Sequence, residues 1–211
     1  MMHTYLVLQI ANLKQKLKMM MHQKSPVYQR KFIVFEEQLD KLFVSCSTCH
    51  KPIIENSKTL FGSMVVLQSS CVDGHNRWQS QPTVNGRISG NMMIAASILF
   101  SGNTFANVNS LAWCLNLAFI SSSLFYDIQK SLLFPVIEKV WKEHQVDIFK
   151  EIKKSKKLEV CGDGQCDSAG HCAKYGTYTI MDESSSKIIY FSVVQVTEVT
   201  SSNAMEAEGC N

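Results

Sequence analysis

Two short stretches carry sulfur and nitrogen ligands at metal-binding spacing. "CSTCHKP" sets Cys46 and Cys49 in a C-x2-C turn, and "CVDGHNRW" follows with Cys71 and His75. A C-x2-C turn presents two thiolates to one ion at about 2.3 Å, and four Cys or His ligands at tetrahedral angles make a closed, structural zinc site. The strand-like run "SMVVLQ", residues 63–68, brings the second pair back, with Asp73-Gly74 as a turn between Cys71 and His75. Zinc on Cys46, Cys49, Cys71 and His75 is therefore expected. His50 is the poorer candidate because it sits beside Cys49. The competing reading is a set of ordinary buried cysteines with a surface histidine.

A second stretch, "CGDGQCDSAGHCAKYGTY" from residue 161 to 178, holds Asp163, Asp167, three cysteines, His171 and four glycines. It reads as a carboxylate metal site, as a Cys/His metal site on Cys161, Cys166, His171 and Cys172, or as a glycine-rich turn. Adjacent residues such as His171 and Cys172 on a strand point to opposite faces, which disfavours the second reading.

The elements that must position these groups come from a chain of 211 residues, long enough for one or two domains. With 45% hydrophobic and 18% charged residues the composition is that of a folded globular protein and excludes global disorder. The net charge of +3 permits a polyanionic partner without demanding one. The first apolar run, "YLVLQIA", is followed rather than preceded by lysines, the wrong polarity for a secretory signal. A reducing compartment, with thiols free or on metal, is the expectation. The longest apolar run, "LAWCLNLAFI", is about half of what a membrane span needs.

Four segments follow. Residues 1–38 form a basic N-terminal extension, 39–90 a small zinc-ribbon-like β module, 91–157 a helical stretch, and 158–211 alternates like strands. In the third, Asn91 is expected to cap a helix over 92–100. Phe105, Val108, Leu111, Leu115 and Ala118 share a helical face, "ISSS" at 120–123 makes a tight turn, and Phe125, Ile128 and Leu132 point inward on the next helix. Pro135 starts or kinks another. Two helices across a tight turn suit a helix-turn-helix, with Tyr126, Gln129, Lys130 and Ser131 exposed toward DNA bases and phosphates. The alternative is a helical bundle linking two domains. "KEIKKSKK", 150–157, is a solvated basic helix end that also suits a phosphate backbone.

In the fourth segment strands are expected near 158–161, 175–181 and 187–199, with a turn at 182–186 and a helix from Asn203. Three antiparallel strands with an aspartate on the first open a ribonuclease H-like sheet. "GDGQCDSAGHCAKYGTYTIMD" with "VVQVTEVTSSNAMEAEG" resembles transposase-derived proteins with a DDE, ribonuclease H-like core, of the Mutator-like group. That resemblance implies an α+β chain whose sheet holds the first three strands of an incomplete ribonuclease H-like domain. It implies Asp163 as first acidic ligand for Mg²⁺ or Mn²⁺, with Asp167 second in line. It also implies that later acidic ligands would follow on a further strand and helix, so that catalysis would need a longer chain.

Taken together, the expectation is a nuclear, non-secreted, transposase-derived fragment that binds DNA through a zinc-dependent module. The alternatives are an incomplete product of a Mg²⁺-dependent nuclease or strand transferase, and a zinc-stabilised protein-interaction module with a protein partner or a second copy.

Overall fold

The computed structural model describes residues 25–155, 158–168, 172–201 and 203–210, without the side chains of His75, Asn76 and Ser155. The protein is mixed α+β, with antiparallel sheets, helices and a cysteine cluster. It divides into two compact units between Phe134 and Pro135. That division falls within the third of the four sequence segments. Most of the basic extension, residues 1–24, lies outside the described residues, as do Lys156, Lys157 and His171.

Among the described residues the first unit begins with a 3-10 turn (Pro26–Tyr28), followed by a short helix α1 (Glu36–Asp40) and a second 3-10 turn (Lys41–Phe43). Three antiparallel strands follow in the order β1-β2-β3: β1 (Ile53–Phe61), β2 (Met64–Cys71) and β3 (Gly74–Gln79). The central strand is apolar and carries Met64, Val66 and Leu67 into the interior. β1 is exposed along nearly its whole length, so its place rests on pairing with β2 rather than on burial. Lys58 of β1 ties α1 to the sheet through Glu36 and Asp40, at 2.7 and 2.6 Å.

The β1–β2 turn needs Gly62. Its φ of +65° and the amide of Asn91, 2.7 Å from where a Cβ would stand, both demand glycine. Asn91 is therefore no helix cap. It is buried within α2 (Ser89–Phe100), accepts hydrogen bonds from the Ser63 N–H (2.9 Å) and hydroxyl (2.7 Å), and donates to the Phe61 carbonyl (3.1 Å). The backbone donors at the start of α2 are served from elsewhere: the Gly90 N–H donates to Gln81 Oε1 at 2.9 Å.

Between sheet and helix sits a two-stranded hairpin, β4 (Thr83–Val84) and β5 (Arg87–Ile88), turned by Asn85-Gly86 at φ +50° and +74°. Both positive dihedrals suit a type I′ turn. Helix α3 (Phe105–Cys114) is capped by Thr104, and α4 (Ser122–Ile128) by Ser121. Residues 115–121 join them, so the expected tight turn at 120–123 is a longer connection. Phe105, Val108, Phe125, Ile128 and Leu132 do pack inward around Ala95 and Ile98, whereas Leu111 and Leu115 are exposed. A π-turn (Gln129–Leu133) then leads into α5 (Phe134–Ser155). Pro135 has no N–H for the Ser131 carbonyl, and a widened turn is how a helix avoids the clash with its ring.

The second unit holds most of α5 and a sheet ordered β6-β7-β8: β6 (Val160–Cys166), β7 (Tyr175–Asp182) and β8 (Lys187–Gln195). The β7–β8 turn is built by Asp182, almost fully buried, whose Oδ2 accepts from the Ser184 hydroxyl, the Ser185 N–H and the Ser185 hydroxyl. Helix α6 (Ala204–Cys210) lies against Gly164 of β6 and Gly176 of β7, its own Gly209 lets it approach Tyr178, and Met205 is buried beside Ala173 and Val194. On the other side, α5 sets Trp141 against Phe191 with the rings tilted by 54° and their centres 5.2 Å apart, hydrogen-bonds the Ile189 carbonyl through Gln145, and pairs Glu151 with Lys187.

Candidate metal centre and neighbouring surfaces

The turn at 46–51 is closed by its own backbone. The Cys46 N–H donates to the Lys51 carbonyl (2.8 Å), the His50 N–H donates to the Cys46 carbonyl (2.9 Å), and Ser45 bridges to Pro52. His50 takes φ +56°, so the chain turns sharply straight after Cys49. Cys71, at the end of β2, meets this turn across a separation of 22 residues. Lys51 and Asp73 brace the same region with a 2.7 Å ion pair between half-exposed side chains.

The three sulfurs of Cys46, Cys49 and Cys71 lie within 4.8 Å of one another, and Cys49 and Cys71 are 3.5 Å apart. Thiolates at about 2.3 Å from one zinc would stand about 3.8 Å apart, a spacing with which a cluster of this size is compatible. Cys46 is buried and the other two are half-buried. The Cys46 thiol is lowered from 9.0 to about 7, first by the Cys49 N–H and then by the Thr48 N–H aimed at its sulfur. Thr48 N stands 3.5 Å from that sulfur. Around Cys49 the Lys51 N–H acts to lower the thiol, but burial and the two neighbouring thiols outweigh it and push the thiol up. Neighbouring thiols in one cluster are thus pushed in opposite directions by their surroundings.

The cysteines can hold a metal ion and are compatible with structural zinc. His50 is not part of the group. His75 stands in β3 with its backbone paired to Ser70, one step from the Cys71–Gly74 pair, and its side chain is outside the described residues.

The carboxylates are arranged otherwise. Asp163 sits mid-strand in β6, exposed, paired across the sheet with Thr179, which in turn pairs with Phe191. Alternation sets it on the α5 side of the sheet. The next residue, Gly164, faces α6, and a Cβ there would meet Glu206 Cγ at 2.7 Å. Asp163 and Glu206 are therefore separated by the sheet. Asp167 closes a loop, its carboxylate accepting from the Lys174 N–H at 3.0 Å while its own N–H donates to the Tyr175 carbonyl at 3.0 Å. Among the described residues neither aspartate, nor Cys161, Cys166 or Cys172, joins a group of three ligands; the cysteine triad does.

Of the expected DNA-facing residues, Tyr126, Lys130 and Ser131 are exposed and Gln129 is half-buried. Tyr126 leans edge-on against Phe125, and Ser131 donates to the Asp127 carbonyl at 2.7 Å. Ser131 also accepts from Arg87 Nη1 at 3.1 Å, which brings the tip of the β4–β5 hairpin beside Lys130. Arg87 is the basic residue that spacing along α4 does not reveal; the Asn-Gly turn that presents it is the available signal.

No family model matches the chain, and no curated protein or solved structure matches it. No helix among the described residues is long and apolar enough to cross a membrane.

Proposed function

We propose that the first unit is a zinc-stabilised nucleic-acid-binding module, zinc-ribbon-like around Cys46, Cys49 and Cys71, in a transposase-derived chain acting in the nucleus. The observation that supports this most is the sulfur triangle, formed between a C-x2-C turn and the end of a strand distant in sequence. The fourth ligand in this reading is His75, in β3. The ion is structural: it fixes the turn to the sheet and thereby the surface around them. DNA is met by Tyr126, Gln129, Lys130 and Ser131, with Arg87 as a further phosphate contact. The second unit supports the ribonuclease H-like reading by its topology: three antiparallel strands in order, Asp163 central on the first, and helices on both faces. Asp163 is the first acidic ligand for Mg²⁺ or Mn²⁺ in that reading. Strand transfer needs further carboxylates converging on it, so catalysis is not assigned to this chain.

The test is Cys46→Ser in the full chain. Zinc content should fall from one per chain, and retention on duplex DNA should fall with it. DNA retention unchanged in a variant stripped of metal would sink the proposal.

A protein-interaction role has its own support. Phe32, Ile33, Val34 and Phe35 are consecutive and all exposed, and Trp113 is 81% exposed with Leu111 and Leu115 beside it. Salt separates the two roles, because binding to phosphates weakens steeply with salt and an apolar interface does not.

A further inference from the structure

We propose that Cys49 and Cys71 are a peroxide-sensitive pair, oxidised to a disulfide that expels the metal while keeping the turn fastened to β2. The metal-expelling half rests on the zinc reading above; the crosslink itself does not. Three observations carry it. The two sulfurs stand 3.5 Å apart, already in contact and with only a small closure left to the about 2.05 Å of a bond. Both are partly exposed, whereas Cys46, the other partner available to either, is buried at 5% relative exposure. All eight cysteines are free, and Cys114, Cys161, Cys166, Cys172 and Cys210 join no comparable cluster among the described residues.

The chemistry balances with hydrogen peroxide as the named oxidant. One of the two thiolates attacks a peroxide oxygen, the O–O bond breaks, and a sulfenic acid forms as hydroxide leaves. The second thiolate attacks that sulfur, the S–S bond forms, and the S–OH bond breaks with loss of a second hydroxide. Two protons from solvent turn both hydroxides into water. The two electrons given up by the sulfurs reside on the former peroxide oxygens. A metal held by Cys46, Cys49 and Cys71 would be left with one of these three thiolates and so be released. The new bond closes the loop that the metal closed before, so β1, β2 and β3 keep their register in the oxidised chain.

The experiment treats the full chain, as purified and after dialysis against chelator, with a small molar excess of hydrogen peroxide. Released zinc is followed with a chromogenic chelator, and crosslinks are read by non-reducing peptide mapping. The expected result is a Cys49–Cys71 crosslink in both samples, with release of close to one zinc per chain from the loaded one, reversed by a thiol reductant. Cys46→Ser should still form the crosslink, and Cys71→Ser should not. A dominant Cys46–Cys49 crosslink, or oxidation arrested at sulfenic acid on either residue, would overturn the assignment. Finding no zinc in the purified chain while the Cys49–Cys71 crosslink forms would refute the metal reading and leave the redox pair standing.

Discussion

Asn91→Ala should loosen the first unit more than any exposed substitution, because one side chain there joins a hairpin turn to a helix. The amide makes three hydrogen bonds, accepting from the Ser63 N–H and hydroxyl and donating to the Phe61 carbonyl. Gln81 shares the network, donating from Nε2 to the Ser63 carbonyl (2.6 Å) and hydroxyl (3.0 Å) and accepting from the Gly90 N–H. Each bond contributes about 1 kcal/mol net, and the Ser63 N–H and Phe61 carbonyl would be left to find water in a half-buried turn. The cost is therefore about 2–4 kcal/mol. With a urea slope of about 2 kcal/mol/M the unfolding midpoint falls by about 1–2 M. The assay is urea denaturation in a Trp141→Phe background, so that Trp78 and Trp113 report on the first unit. Gln81→Ala combined with Asn91→Ala should be less than additive, since both act on Ser63. Zinc content should stay at the parent value, because the clamp lies at the opposite end of β2 from Cys71. A midpoint shift below about 0.3 M, or strict additivity of the pair, would refute the network.

Three further outcomes follow from the same geometry. Gly176→Val should destabilise the second unit by about 1–3 kcal/mol, because a Cβ there meets the Met205 Cβ at 2.9 Å and α6 must shift; differential scanning calorimetry would show the loss. Asp182 is held below its ordinary value of 3.8 by the Ser185 hydroxyl, then the Ser184 hydroxyl. Its contribution is whole above that unfolded value and is lost as pH falls through the lower folded one, so Asp182→Asn should flatten the acid limb of stability against pH, measured by urea midpoints below about pH 5. If DNA is bound as proposed, Arg87→Ala and Lys130→Ala should each lower the slope of log affinity against log salt by about 1, measured by fluorescence anisotropy on a labelled duplex.

Much of this architecture is legible in the residues, where a local rule and the tertiary context agree. The C-x2-C turn, the strands β7 and β8 with the turn between them, and the inward face at Phe125, Ile128 and Leu132 are such cases. Legibility fails where pairing or packing overrides the local signal. β1, "IIENSKTLF", has no apolar face because it has no buried face, and a strand held only by its neighbour leaves no period to find. Asn91 has the chemistry of a cap, but its side chain turns to a different segment, 28 residues away, rather than to its own helix. Leu111 and Leu115 fit a helical face whose lower end is never covered, since the helix stops at Cys114 and Asn116 enters the left-handed region. The Asn85-Gly86 turn was readable in principle: a two-residue I′ signal flanked by Val84 and Arg87 is enough to place the hairpin.

The two candidate centres differ in what a short stretch of chain can specify. The cysteine site is half local: one C-x2-C turn fixes two sulfurs, and a single strand return supplies the third. Its assembly asks only that β2 end where the turn begins, which the Ser45–Pro52 bridge and the Ile53–Cys71 pairing arrange. A carboxylate centre at Asp163 is wholly non-local, because the period of two on β6 commits that side chain to one face and gives the next position to the other. The acidic helix α6 lies on the Gly164 face, so Glu206 is excluded by the pleat itself, however near in space its helix comes. Any second ligand for Asp163 must arrive on the α5 side of the sheet. That condition is geometric, and it turns the enzymatic reading into a search for one acidic residue on one face.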